Sequence, residues 1–335
     1  MASGKQDLLV AYAAAQSQLV RLEERTRLSP VRSVLRVRAE IAERQALARI
    51  DGMPLLSDDI EVDGRRRVGT SGFDLSLGRQ SIGVPISLNA LMGDAPALLA
   101  WLGIDLDSPS AAPGVEDMLH RVRSWQRAAI HWLDCPPLLA SAHLAASWRL
   151  HAPLGRSDLA ASLLVGDRWG PGRYRGSQGG LIATGLELEQ NAWRVAQDAA
   201  LERYWLDAIA RGAEMHLNIE LRLRNYAARA RRLVDSRRRP GRLGDLLHLA
   251  MIQPRVTSKM VAQTLGLTSA GAINLLTIAA DAGLLIERSG QSNYRSYAIP
   301  VAFSLDLSRP RADPLAAGYD ALSDSEYEGW NPDDG

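Results

Sequence analysis

Apolar side chains recur at helical spacing along most of this chain. Leu8, Tyr12, Leu19 and Leu22 mark one face of a first helix, and Val34, Leu35, Ala39, Ala42 and Ala46 mark a face of a second. Pro30 separates the two within Asp7–Ile50, and Arg and Glu fill the remaining faces. Over Asp51–Leu91 the pattern changes. Gly64, Gly69, Gly72, Gly78 and Gly83 punctuate short alternating runs, which predicts loops with one or two β-hairpins. Ala95–Leu102 reads as a short helix, and Ser108–Gly114 as a linker. Helical spacing resumes over Val115–Val165, around Trp125, Trp132, Trp148, His143 and His151. Gly166–Gly180 is expected to be a glycine-rich loop. Beyond it, Leu186–Leu233 predicts two long helices, Ala192–Arg211 and Ala213–Leu233, with Trp193 and Trp205 in the core.

The strongest local pattern lies in Leu243–Ile299. Asp245–Gln253 is a short apolar helix, and Thr257 is placed to cap a second over Ser258–Leu265. Gly266 then supplies the left-handed residue that ends it. Thr268 caps a third helix reaching about Ala282, whose Ile273, Leu276 and Ala280 are expected to face the core. Gly283-Leu284-Leu285 leads into a strand, Gly290–Asn293 turns, and Arg295–Ile299 returns. The small Ala262 four residues before Gly266, the glycine turn, the second cap and the Gly-Leu-Leu exit, in this order, predict a winged helix-turn-helix. In the usual docking, the third helix enters the major groove and the wing meets backbone or minor groove. Thr268, Ser269, Ala270, Gly271 and Asn274 stand at its start, with Thr257 and Ser258 opening the helix before it. None is basic, so readout would fall to Asn274 on adenine, with Thr268 or Ser269 on phosphate.

Charge sharpens this picture. The whole chain of 335 residues has a formal charge of +1, but 229–300 holds eleven basic residues against four acidic ones. Arg237, Arg238, Arg239 and Arg242 lead into the segment, while Arg288, Asn293 and Arg295 belong to the wing. Such a stripe suits phosphates. Arginine replaces lysine almost throughout, Lys5 and Lys259 being the only lysines, so a solvated Arg-rich linker is the competing reading. After Pro300 the balance reverses. Asp306–Gly335 has two Arg against eight acids and is expected to be a disordered tail. Cys135 is the only cysteine, which excludes an intrachain disulfide and fits a reducing cytoplasm. No secretory pattern or membrane-length apolar run is present.

Catalytic patterns are weak. Gly170-Pro171-Gly172 to Gly179-Gly180, with Arg168, Arg173 and Arg175, could cradle a phosphate, but a P-loop's Lys-Ser/Thr ending and preceding strand are missing, so a surface loop is the expected reading. His143 and His151 lie eight apart without a Cys/His cluster, so no metal site is expected. Cys135 sits beside two prolines and reads as a packed side chain.

Two resemblances follow. The layout resembles a family of uncharacterised proteins from rhizobial replicons, in which a domain of unknown function precedes a helix-turn-helix DNA-binding domain. More remotely, the order of elements is similar to bacterial Fic-domain proteins that end in a winged helix. Cys135-Pro136-Pro137-Leu138-Leu139 precedes His151 at about that family's spacing, and 151–164 has the length of its HPFx[DE]GNGRxxR loop. His151 matches the motif's histidine. Gly155 stands at its metal-binding acid, Arg156-Ser157-Asp158 at its Gly-Asn-Gly, and Leu159 and Ser162 at its two arginines. Arg49-Ile50-Asp51-Gly52 resembles the inhibitory Ile-Glu-Gly motif, with Leu47 in place of its Ser/Thr. Nucleotidyl transfer needs a base, a metal carboxylate and phosphate donors together. The resemblance therefore implies a core that has lost its chemistry, unless Asp158 takes over the metal.

The expected architecture is mainly α, in four parts. Helices and a β-hairpin region cover 1–113, a helical core 114–239, a winged helix-turn-helix 240–300, and an acidic tail 301–335. The expected function is a cytoplasmic DNA-binding protein, a transcriptional regulator without enzyme activity or cofactor. It would bind double-stranded DNA as a homodimer and meet no membrane. The helical domain would supply dimerisation or a protein partner. The alternatives are a protein-interaction module on a dead core, or a divergent nucleotidyltransferase at His151.

Overall fold

The first helix, α1 (Ala2–Leu28), buries Ala11, Ala15, Leu19 and Leu22 along one side. It opens a mainly helical fold, shown by a computed structural model that describes residues 2–52, 55, 60–62, 68–70, 91–104, 106, 114–154, 158–175, 177–187, 192–289 and 295–300. The chain forms two units, Met1–Leu28 with Ala39–Asn218, and Ser29–Arg38 with Ile219–Gly335. The acidic segment 301–335 lies outside the described residues. No single described helix is long and apolar enough to cross a membrane.

In the first unit, α1 is followed by the Ala39–Ile50 part of α2 (Arg32–Ile50). Next comes an antiparallel hairpin of β1 (Ile60–Val62) and β2 (Val68–Thr70), in the register Ile60 to Thr70. Four helices follow: α3 (Ala95–Trp101), α4 (Val115–Ala129), α5 (Pro137–His151) and α6 (Asp158–Trp169). The short α7 (Leu181–Leu186) follows, and then the Asp198–Asn218 part of the long α8 (Asp198–Asp235), whose remainder belongs to the second unit. Tryptophans fill the core. Trp125 and Trp148 meet edge to face at 4.8 Å, and Trp205 donates its indole N–H to Ser141 at 2.7 Å. Both interactions give a large apolar ring a fixed neighbour.

Two expectations fail here for one reason. The predicted pair Ala192–Arg211 and Ala213–Leu233 is one helix, and Gly212 does not break it. A Cβ at Gly212 would lie 2.1 Å from the Leu181 carbonyl oxygen, and one at Gly185 would lie 1.9 Å from that of Ala208. These glycines let α7 and α8 touch backbone to backbone. Gly166, expected in a loop, lies within α6, where a Cβ would strike the Trp205 ring at 2.5 Å. Close packing, rather than chain flexibility, explains all three.

A buried ionic cluster holds the start of α7. Arg168 makes a two-pronged contact with Glu43, at 3.0 and 2.9 Å, and also donates to Asp167. Asp167 in turn accepts from the backbone N–H of Gly180 at 2.9 Å and of Ile182 at 3.0 Å. Burial opposes the Arg168 charge, but Glu43 and Asp167 outweigh it and hold the guanidinium above its ordinary range. Nearby, His216 is fully buried, and neither ring nitrogen has a hydrogen-bond partner among the described residues. Burial pushes its imidazole down to about 4, with Asp167 opposing, so the ring is neutral at pH 7.

In the second unit, α9 (Leu243–Ile252), α10 (Ser258–Leu265) and α11 (Ser269–Asp281) accompany a three-stranded antiparallel sheet. Its strands β3 (Val256–Thr257), β4 (Ile286–Glu287) and β5 (Ser296–Ala298) run in the order β3-β5-β4. Leu243, Leu246, Leu247, Met251, Leu276 and Leu285 are buried among these elements. Residues from early in the chain join them: Val31, Val34 and Leu35 are fully buried. Arg38 spends its donors on the end of α9, reaching the carbonyls of Met251 at 2.6 Å, Ala250 at 2.9 Å and Gln253 at 2.8 Å. These are carbonyls that a helix end leaves without intrahelical partners, and a cation there also suits the helix dipole. Burial pushes the Arg38 guanidinium down to about 9, which leaves it charged at neutral pH.

Candidate nucleic-acid interface

Short-range chemistry builds the α10–α11 pair. Thr257 accepts from the N–H of Met260 at 3.2 Å, and Thr268 from that of Gly271 at 3.1 Å, so each threonine caps its helix. Gly266 closes α10 at φ 63, ψ 40. A Cβ there would meet nothing within 4 Å, so the position needs glycine for its backbone angle alone. The two helices meet at a bend of 113°.

This geometry exposes the start of α11. Thr268, Ser269, Ala270 and Asn274 face solvent, and Gly271 is half-buried. Capping uses an acceptor lone pair of Thr268 and leaves its O–H able to donate outward. Leu276 faces the core as expected for this helix, together with Ala272 and Ala279, which were not expected there. Ile273 does not. It is 53% exposed and shares the outward stripe with Ala270, Asn274 and Thr277. Ala280 is only half-buried. The apolar pattern fits two phases of the same helix, and residues 272, 276 and 279 take the inner one. Thr257 and Ser258, half-buried at the head of α10, are less open than the α11 residues.

The basic residues divide into paired and unpaired groups. Arg288 and Arg295 are exposed just beyond the paired strands, Arg288 after β4 and Arg295 before β5, and the Arg288 N–H donates to the Ser296 carbonyl at 2.9 Å. Arg295 lies 3.8 Å from Glu287, and Arg242 lies 3.0 Å from Asp245. Both pairs are solvent-exposed, so each is weak and exchangeable. Arg237, Arg238 and Arg239 are exposed and have no acidic partner among the described residues. Asn293 lies outside the described residues. Lys259, exposed on α10, is a further cation that the α11-centred pattern passes over.

The other candidates are placed differently. Arg168, one of three arginines in a glycine-rich segment that could cradle a phosphate, is 2% exposed and engaged by Glu43 and Asp167, so it belongs to a structural cluster. No family model matches the chain, and no curated protein sequence matches it. His151 ends α5 with Nδ1 bonded to the Ser147 carbonyl of its own helix at 2.8 Å. Residues 155–157, which follow it in the motif comparison, lie outside the described residues. His143 stacks flat on Trp132 at 3.8 Å and bonds Glu202 at 2.8 Å, away from any shared metal role with His151. No group of three or more His, Cys, Asp or Glu among the described residues could hold a metal ion.

Proposed function

We propose that the chain binds double-stranded DNA through a winged helix-turn-helix over 240–300 and acts as a cytoplasmic transcriptional regulator. The observation that carries this reading is the α10–α11 bend through Gly266 with an exposed α11 start, in a unit whose antiparallel β4–β5 pair is flanked by the exposed Arg288 and Arg295. In this reading α11 lies in the major groove. Thr268 and Ser269 donate to phosphate, and Asn274 pairs with an adenine edge. Ala270 and Ile273 pack on thymine methyl groups, so the reader favours A·T pairs. Arg288 and Arg295 meet backbone or minor groove, and Arg237, Arg238, Arg239 and Arg242 add phosphate contacts. One such helix offers few base contacts, and a two-fold pair of chains doubles them.

The test is the double variant Arg288→Ala/Arg295→Ala. Loss of two phosphate contacts lowers the slope of log affinity against log salt by about 2. An unchanged slope and affinity would refute the placement of the wing on DNA. The exposed, uncharged outer face of α11, with Ile273 on it, favours a second reading as a protein-binding surface. Absence of any salt-dependent DNA binding by the parent chain would select that reading.

A further inference from the structure

Helix α1 is apolar on two opposite sides. Ala11, Ala15, Leu19, Leu22 and Thr26 are buried in the unit. The opposite side carries Val10, Ala13, Ser17 and Val20, spaced by three, four and three residues, and all four are exposed. Leu9 flanks this stripe at 70% exposure, with Val10 at 63% and Val20 at 51%. Single exposed apolar residues need no explanation, but this row has the three-four spacing of a two-helix seam. Its middle positions are small and allow close approach.

We propose that this seam takes a second copy of the chain, α1 packing antiparallel on α1 about a two-fold axis near Ala15. The helix's own charges choose both occupant and direction. In the antiparallel register Val10 meets Val20 of the second copy, and Ala13 meets its Ser17. The exposed Asp7 then falls beside Arg21 of the second copy, and symmetry repeats each contact. A parallel pair would instead set Glu24, exposed one heptad beyond Ser17 on the same stripe, against Glu24 of the second copy. The inference deepens the two-fold reading above, but it does not depend on DNA contact.

Sedimentation equilibrium of the full chain without DNA tests it. The parent chain sediments as a dimer at micromolar concentration, and Val10→Glu/Val20→Glu as a monomer with unchanged helicity and melting. Asp7→Arg weakens the dimer several-fold, and adding Arg21→Asp restores it. A monomeric parent, a dimer that survives the double glutamate variant, or a charge swap that fails to restore association would each overturn the proposal. A monomeric parent that still binds DNA sinks this inference alone. A dimer that binds no DNA sinks the other alone.

Discussion

Arg38→Met keeps an apolar stem of similar size and removes three donors at once. The donors lie 2.6–2.9 Å from the carbonyls of Ala250, Met251 and Gln253 at the end of α9. Hydrogen bonds from a charged group contribute about 1.5–3 kcal/mol each, so three at the lower end sum to roughly 5 kcal/mol. Removing the buried cation also relieves its desolvation, the penalty that pushes this guanidinium down to about 9. The expected net loss is about 2–4 kcal/mol, a large share of the roughly 5–15 kcal/mol that holds a typical domain folded. Urea unfolding followed by far-UV circular dichroism measures it. The loss should fall on the transition of the unit that contains α9. Arg38→Lys should lie between parent and methionine variant, because a compact ammonium cannot span the three carbonyls as a planar fork does. A loss below about 1 kcal/mol would show that water satisfies these carbonyls unaided, and the argument for an essential cap would fail.

Two further predictions concern the first unit. Gly185→Ala places a methyl where the Ala208 carbonyl already stands, 1.9 Å from its oxygen, and should cost about 3 kcal/mol or more; near-parent stability in thermal melting would refute the close α7–α8 approach. His216 is held to about 4 against an ordinary 6.5, so between these values the unfolded chain binds a proton that the folded chain does not. Stability is therefore unaffected above pH 6.5 and falls as pH drops toward 4, by up to about 1.4 kcal/mol per pH unit, and His216→Leu should flatten that limb of the stability–pH curve.

The parts that were readable in the sequence are those made by near neighbours. Thr257, Gly266 and Thr268 act on backbone within three or four residues, and the helices they delimit begin and end where that chemistry predicts. Long-range packing was not readable. Gly212 looks like a helix break in one dimension and is a contact point in three. Arg168 looks like an anion ligand until Glu43, 125 positions away, is found against it. Ile273 fits the apolar period of α11 as well as its buried neighbours do, and only the position of the core decides which phase turns inward. Arg38 carried no local signal at all, since its partners lie more than 200 residues further along.

That separation has a consequence during synthesis. Ser29–Arg38 leaves the ribosome well before its partners, because the carbonyls that Arg38 engages are specified 212–215 residues later. At translation rates of about 5–20 residues per second, these ten residues wait on the order of 10–40 seconds with Val31, Val34 and Leu35 uncovered. For that interval a nascent chain presents an apolar segment with no native place to go, a natural target for a chaperone. Slowing the ribosome over the following 200 codons would lengthen the exposure, whereas moving the segment to the far end of the gene would abolish it.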